Sequence, residues 1–366
     1  MNADRYRRRM SAAAGAAAEV GVDAVVITPS PDLAYLCGYD PMPFERPTLL
    51  VIRPERDPAM LVPLLEVPLA AASPAGQVVE VVGWADGEDP YARATGLLGD
   101  ARRVALGDRT WAVHLLGLQA ASPDVPFSSA SPIVGALRAV KDTDELDALR
   151  RAGAAADRVA ADIVTRPFAG RRELDVAGDL AALLVEHGHT AADFTIVAAG
   201  PNAASPHHEP GERVIAGGDV VVMDFGGPLD GYFSDTSRTV VVGEPTDEQR
   251  RVHDAVRRAQ AAGRAAVRPG IEIQEVDRAA RAVLTDAGLG DRFIHRTGHG
   301  IGMEVHEPPY AVEGDVTVLR PGMTFSVEPG AYLDGAFGVR IEDIVAVTAD
   351  GVQPLNDSPR DLLVVA

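Results

Sequence analysis

GDVVVMDFGGPLDGYFSDTSRTVVVG, residues 218–243, reads as two strands joined by the turn Pro228-Leu229-Asp230-Gly231. The midpoint between Asp224 and Asp235 falls between Leu229 and Asp230, at the centre of that turn. A symmetric hairpin would set the two carboxylates directly opposite each other on one face. Like charges so placed are destabilising unless a cation lies between them. The pattern recurs downstream: Glu328 in FSVEPGAY and Glu342 in GVRIEDIVAV are centred on Gly335, within the turn LDGAFG. Two acid-bearing hairpins suggest that each supplies one wall of a shared site.

His299 lies in RTGHGIGMEVHEPP, residues 296–309, between glycines that let the backbone pass close to a ligand or metal. Asp224, Asp235, Glu328, Glu342 and His299 form a mainly oxygen donor set. That set suits two divalent ions, Mn²⁺ foremost, with Co²⁺, Zn²⁺ or Fe²⁺ as alternatives, rather than a structural thiolate zinc. The four carboxylate charges balance two divalent ions. Such ions lower the pKa of water they bind from ~15.7 toward ~7, which supplies a nucleophile at neutral pH. Taken singly, each motif has an ordinary explanation: a turn with flanking aspartates, a satisfied structural histidine, a Glu-Pro-Gly turn. Their conjunction in one domain, with matching hairpin spacing, carries the metal reading.

Working outward, 366 residues exceed one comfortable core and predict two domains, 1–136 and 137–366. In the first, AVVIT (24–28), LAYLCGY (33–39), TLLVI (48–52), AMLVP (59–63) and VVEVVGW (78–84) read as buried strands with helices between several of them. This is an α/β pattern with no cluster of acids and histidines; His114 is read there as structural or exposed. The second domain opens on a long helical period, with Asp142 and Glu145 spaced as a capping box. Another helix, RELDVAGDLAALLVEHG, ends at Gly188, and strands follow. DEQRRVHDAVRRAQAAGRAAVRPG and QEVDRAARAVLTDAG then form a second helix pair before more strands. Helix pair, strands, helix pair, strands predicts an internally duplicated α+β domain. His187, His189 and His253 fall at a helix end or on a charged helix and are read as solvated.

The composition is that of a soluble globular protein, 46% apolar, with no run approaching the ~18–20 residues of a membrane span. Glu19 and Asp23 interrupt the alanine-rich start, which reads as an amphipathic first helix, and nothing signals export. A formal charge of −19, from 34 basic and 53 acidic residues, disfavours nucleic acid and anionic membranes as partners. Cys37 is the only cysteine and suits a reducing cytoplasm. Lys141 is the only lysine, which leaves almost no candidate for Schiff-base or P-loop chemistry.

MDFGGPLDGYFSDTSRT, RTGHGIGMEVHEPP, PGMTFSVEPGAY and GVRIEDIVAV together resemble the successive signatures of the pita-bread metallopeptidases, closest to the Xaa-Pro aminopeptidases and prolidases. DAVVITPSPDLAYLCGYD is more weakly similar to the creatinase-type N-terminal domain of the same proteins. The resemblance implies a creatinase-like α/β domain ahead of a pita-bread catalytic domain with pseudo-two-fold duplication. It implies Asp224 on one metal, His299 and Glu328 on the other, and Asp235 and Glu342 bridging both. His207 in SPHHEP would stand near the substrate and leaving group, with His208 the lesser candidate because relatives often have glycine there. His306 would hydrogen-bond the scissile carbonyl or the tetrahedral intermediate. Arg340 would orient Glu342, and Glu328 would also shuttle a proton. The implied substrate is a peptide or dipeptide with proline at the second position, and the implied assembly is a homodimer. A metal-dependent hydrolase or lyase of small non-peptides, or a non-enzymatic binding protein on the same scaffold, are the rival readings. The filled ligand positions weigh against both metal-free chemistry and a mere binding module.

Overall fold

Short runs of buried aliphatic residues build the N-terminal sheet. Its strands are Ala24–Ile27 (β1), Leu49–Arg53 (β2), Arg56–Pro63 (β3), Glu80–Trp84 (β4), Val104–Leu106 (β5) and Phe127–Ser129 (β6), in the order β4-β3-β2-β1-β5-β6. The β1–β2 and β2–β3 pairs are antiparallel; β1–β5, β3–β4 and β5–β6 are parallel. Val26, Leu49, Leu61 and Val104 pack against Leu98 and Leu118 of the covering helices. The first helix, Ala3–Glu19, buries Tyr6, Met10, Ala13 and Ala17 along one stripe at three- and four-residue spacing. The computed structural model describes residues 3–366, and the chain divides into two units, Met1–Arg138 and Ala139–Ala366. No helix among the described residues is long and apolar enough to cross a membrane.

One expected strand is a helix. LAYLCGY forms the end of helix Pro31–Cys37, which has Pro31 in its first turn and Gly38 at φ 74° as its left-handed cap. Leu33, Leu36 and Cys37 are buried at positions i, i+3 and i+4, a helical spacing that a short apolar run also presents to a strand reading. β5 and β6 have only three residues each, too few to leave a period in the sequence.

The second unit opens with helix Thr143–Ile163. Its capping box is formed: Glu145 N donates to Asp142 Oδ1 (3.0 Å) and Asp142 N to Glu145 Oε2 (2.9 Å). Helix Glu173–Glu186 follows. Then come Phe194–Ala199 (β7), Val220–Leu229 (β8) and Tyr232–Val242 (β9). A second helix pair, Asp247–Ala266 and Gln274–Asp286, precedes Gly298–Gly300 (β10), Glu307–Ala311 (β11), Thr324–Val327 (β12), Gly330–Leu333 (β13), Phe337–Arg340 (β14), Asp343–Val347 (β15), Val352–Pro354 (β16) and Leu363–Val365 (β17). The sheets run β17-β9-β8-β7, β11-β10-β12-β15-β16 and β13-β14. Each helix pair packs on its own strands. Val159, Ile163, Leu180 and Leu184 meet Met223, Phe225 and Val240, whereas Val256, Ala280 and Leu284 meet Val339 and Ile341. That is the expected duplication, expressed in packing.

Register decides how the acids meet. In β8–β9, Leu229 pairs with Tyr232 and Gly226 with Asp235, so Asp224 pairs with Ser237 rather than with Asp235. The turn is the two residues Asp230 (φ 53°) and Gly231 (φ 80°), both in the left-handed region that a tight two-residue hairpin requires. The expected centre was one residue too early. Asp224 and Asp235 are therefore diagonal neighbours on one face, which eases but does not remove their repulsion. The second hairpin is centred on Gly335 as expected, and both of its ladders share that centre: Gly330 pairs with Arg340, and Val327 with Asp343. Glu328 and Glu342 lie opposite each other at the break between the ladders.

Two histidines read as solvated are buried. His189 is 3% exposed and bonds Ser234 Oγ through Nε2 (2.8 Å); His253 is 4% exposed in the helix Asp247–Ala266. Burial, aided by Arg257, pushes the His253 imidazole down from 6.5 to about 4. A histidine held neutral in the fold contributes stability that is complete above pH 6.5 and is lost as pH falls toward 4. The expected loss is about 3 kcal/mol by pH 4. Urea titrations at pH 7 and pH 4 should show that much less acid sensitivity in His253→Leu; an equal pH response in both proteins contradicts the assignment.

Candidate metal centre

The two hairpins and the β10 region enclose a cavity of about 570 Å³. Its lining includes all eight residues singled out from the sequence: Asp224, Asp235, His299, Glu328, Glu342, His207, His306 and Arg340. Ligand atoms of Asp235, His299 and Glu342, each residue at most 3% exposed, all lie within 4.8 Å of one another. His299 Nε2 stands 3.1 Å from Glu328 Oε1 and 3.5 Å from Asp235 Oδ2. Its Nδ1 faces the Gly300 carbonyl at 3.2 Å, which makes that nitrogen the donor and leaves Nε2 turned to the carboxylates. The flanking glycines serve the neighbouring strand more than a ligand. A Cβ on Gly298 would sit 1.8 Å from Ser326 O, and one on Gly300 2.4 Å from Glu307 O.

Whether this set fits divalent ions is answered by what its oxygens lack. Asp224 Oδ1 and Glu342 Oε1 are buried with no hydrogen-bond partner among the described residues. Burial, compounded by Glu342, Asp224 and Glu328, pushes the Asp235 carboxyl well above the usual range. Burial and the charges of Glu328 and Asp224 do the same to Glu342. Burial also works to raise Glu328, but the His299 hydrogen bond and the nearby His299, His295 and Arg340 outweigh it and hold that carboxyl at about 2. Carboxylates crowded against their own charge, with acceptor oxygens left over, form a receptor for cations. The residues fit.

Arg340 is the arginine that bonds a carboxylate of the centre directly. It donates from Nη2 to Asp224 Oδ2 (2.7 Å), from Nε to Ser237 Oγ (2.8 Å), and from Nη1 to Tyr332 OH (3.0 Å) and Pro206 O (3.1 Å). Its hold on Glu342 runs through Ser237, whose hydroxyl donates to Glu342 Oε2 (2.8 Å); the direct partner is Asp224. Behind the site Arg238 pairs with fully buried Asp343 (2.7 Å) and donates to the backbone carbonyl of Glu342 (2.5 Å), which fixes that residue from below.

Sequence reasoning missed His295 and Tyr332. His295 Nε2 lies 2.9 Å from Tyr332 OH, which continues the chain to Arg340 and Asp224. Tyr332 carried a usable signal, since Glu328, Gly330 and Tyr332 alternate at the two-residue spacing of one strand face. His295 sits in irregular backbone, where spacing predicts nothing. His207 and His306 reach the cavity as exposed side chains, with the His306 ring edge-on to His299 at 4.0 Å. The cavity walls, His299 and Arg296 push the His306 imidazole down to about 4, so it stands there neutral. His208 turns away and bonds Glu173. A buried pair, Lys141 Nζ to Glu307 Oε1 at 2.5 Å, underlies the segment that carries His306.

The chain is similar to known proteins along its whole length. Residues 147–349 match the model of metallopeptidase family M24, and residues 9–140 that of the creatinase/prolidase N-terminal domain. The chain is 45% identical over 367 residues to the probable dipeptidase PepE of Mycobacterium tuberculosis, covering 100% of this chain and 98% of that one. It is 37% identical over 358 residues to the Xaa-Pro dipeptidase of Lactobacillus delbrueckii subsp. lactis, covering 95% and 96%. The crystal structure of dipeptidase PepE from Mycobacterium ulcerans superposes with a TM-score of 0.97 at 44% identity, over 100% of this chain and 99% of that one. The chain belongs to metallopeptidase family M24, a metallo-exopeptidase with the family's pita-bread catalytic domain behind a creatinase/prolidase N-terminal domain.

Proposed function

We propose that this protein hydrolyses Xaa-Pro dipeptides with two divalent ions, Mn²⁺ foremost, held by Asp224, Asp235, His299, Glu328 and Glu342. The observation that carries the reading is one cavity in which these five side chains converge while two buried acceptor oxygens have no partner among the described residues. Bound ions supply Lewis-acid polarisation and an acidified water. The chain's own residues do the rest. His306 and His207 hydrogen-bond the scissile carbonyl oxygen as negative charge develops on it. Glu328 carries the proton released by the attacking water to the proline nitrogen, which leaves as a secondary amine.

The cavity also suggests where the substrate ends. Phe194, Ile196, Pro206 and Val305 give it an apolar wall suited to a proline ring. Arg296 lines the same cavity, stacks on Tyr310 at 4.5 Å, and has no acidic partner among the described residues. A half-buried guanidinium without a counter-ion is matched by the free carboxylate that a dipeptide places on its proline. Arg296→Ala is expected to raise KM for Ala-Pro by roughly 10- to 100-fold, the 1.5–3 kcal/mol of a charge-assisted contact, with little change in kcat. Ala-Pro-amide, which lacks that carboxylate, should be a poor substrate equally indifferent to the mutation. Equal losses on both substrates would remove Arg296 from recognition. Cleavage of neither by Mn²⁺-loaded wild type would point to a non-peptide substrate.

A further inference from the structure

His207 lines the cavity, yet its ring has no hydrogen-bond partner among the described residues and it is exposed. Its place is set by the backbone of the segment between β7 and β8. One buried carboxylate ties that segment at several points. Glu173, 0% exposed and the first residue of helix Glu173–Glu186, accepts from Ala199 N (2.8 Å) and Asn202 Nδ2 (3.0 Å) at Oε1. At Oε2 it accepts from His208 Nε2 (2.8 Å) and Gly211 N (3.2 Å). Arg340 holds the same segment from the cavity side through Pro206 O. His207 and His208 are neighbours on non-helical backbone, and one ring faces the cavity while the other faces Glu173.

In the other half of the domain a buried acid in the first turn of the second helix also holds a segment that carries site residues. Asp277, in the first turn of Gln274–Asp286 and 1% exposed, accepts from Thr297 N (3.2 Å) and Thr297 Oγ1 (2.7 Å), between His295 and His299. Its charge is met by Arg281 of its own helix at 3.0 Å. Among the described residues Glu173 has no arginine or lysine partner. Among those residues its one ion-pairing side chain is the imidazole of His208, on the tethered segment itself, at 2.8 Å. The first half thus couples the anchor to the residue beside His207, where the second half couples it to the helix.

We propose that His208 and Glu173 form a positioning pair that sets the His207 ring over the cavity. The proposal rests on the role given above to His207, and its test separates the two. With Mn²⁺-loaded protein and Ala-Pro, His208→Ala should lower kcat roughly 10- to 30-fold, as a small misplacement of a reacting group does, with KM within twofold and metal content unchanged. His208→Gln keeps an N–H for Glu173 and should recover to within about threefold of wild type. In a His207→Ala background His208→Ala should cost nothing further, because a residue acting only through His207 has nothing left to position. Additive losses, a silent His208→Ala, or no rescue by glutamine would overturn the pair. A second readout is independent of turnover: the imidazole proton signal of His207 in the Zn²⁺-loaded protein, identified as the one that His207→Ala removes. It should shift or broaden in His208→Ala and not in His208→Gln; an unchanged signal overturns the proposal. If His207→Ala leaves kcat intact while that signal still responds, the catalytic role of His207 fails and the pairing stands.

Discussion

Asp235→Asn should reduce metal-dependent turnover by roughly 10³-fold or more and, at the same time, stabilise the metal-free protein. Both effects come from one geometry. Asp235 shares its space with Glu342 and His299 within 4.8 Å, and burial with the charges of Glu342, Asp224 and Glu328 disfavours its ionised form. An asparagine keeps the shape and one acceptor oxygen but removes the charge on which a cation depends. Without metal, that same charge is a liability. Its removal should add about 1–3 kcal/mol, or a few degrees in Tm for a unit of this size. Calorimetry at pH 8 with chelator and with Mn²⁺ gives both signs: the variant melts higher than wild type in chelator and gains little from metal. Full activity in Asp235→Asn would sink the ligand assignment. A lower apo Tm would sink the account of the carboxylates as crowded charge awaiting a cation.

His306→Ala should leave metal content intact and lower kcat by roughly 10²–10³, the range for loss of one donor to a developing oxyanion. The ring touches His299 edge-on at 4.0 Å without being needed to hold it, because His299 is fixed by Gly300 O and by its own backbone bond to Ser326 Oγ (3.0 Å). The segment bearing His306 is secured by the Lys141–Glu307 pair, which alanine at 306 does not disturb. A deficit confined to kcat is therefore the expected signature. Metal analysis alongside steady-state kinetics decides it, and an unchanged rate would take His306 out of the mechanism.

How far the sequence could be read depended on what each signal encoded. The capping box at Asp142 and Glu145 was legible because it is local: two side chains three residues apart satisfy each other's backbone. The acid hairpins were legible as hairpins because Gly231 and Gly335 mark chain reversals that few other residues tolerate. The centre of the first was misjudged by one residue because Asp230 itself takes a positive φ, which a reader assigns to glycine first. The helix at Pro31–Cys37 was misread because a short apolar run has no period of its own. His253 and His189 were misread because burial is a tertiary property: a helix that looks charged along its length can still press one histidine into a neighbour. Arg340's pairing with Asp224 joins residues 116 positions apart, and nothing local announces it.

Lys141 is the chain's only lysine, and its side chain is 1% exposed beneath the His306 segment. In the native state, then, reagents that acylate side-chain amines have no accessible target on this protein. The residue becomes a self-contained reporter: its acylation, followed by mass spectrometry, counts molecules in which the catalytic domain has opened, without any label having been introduced.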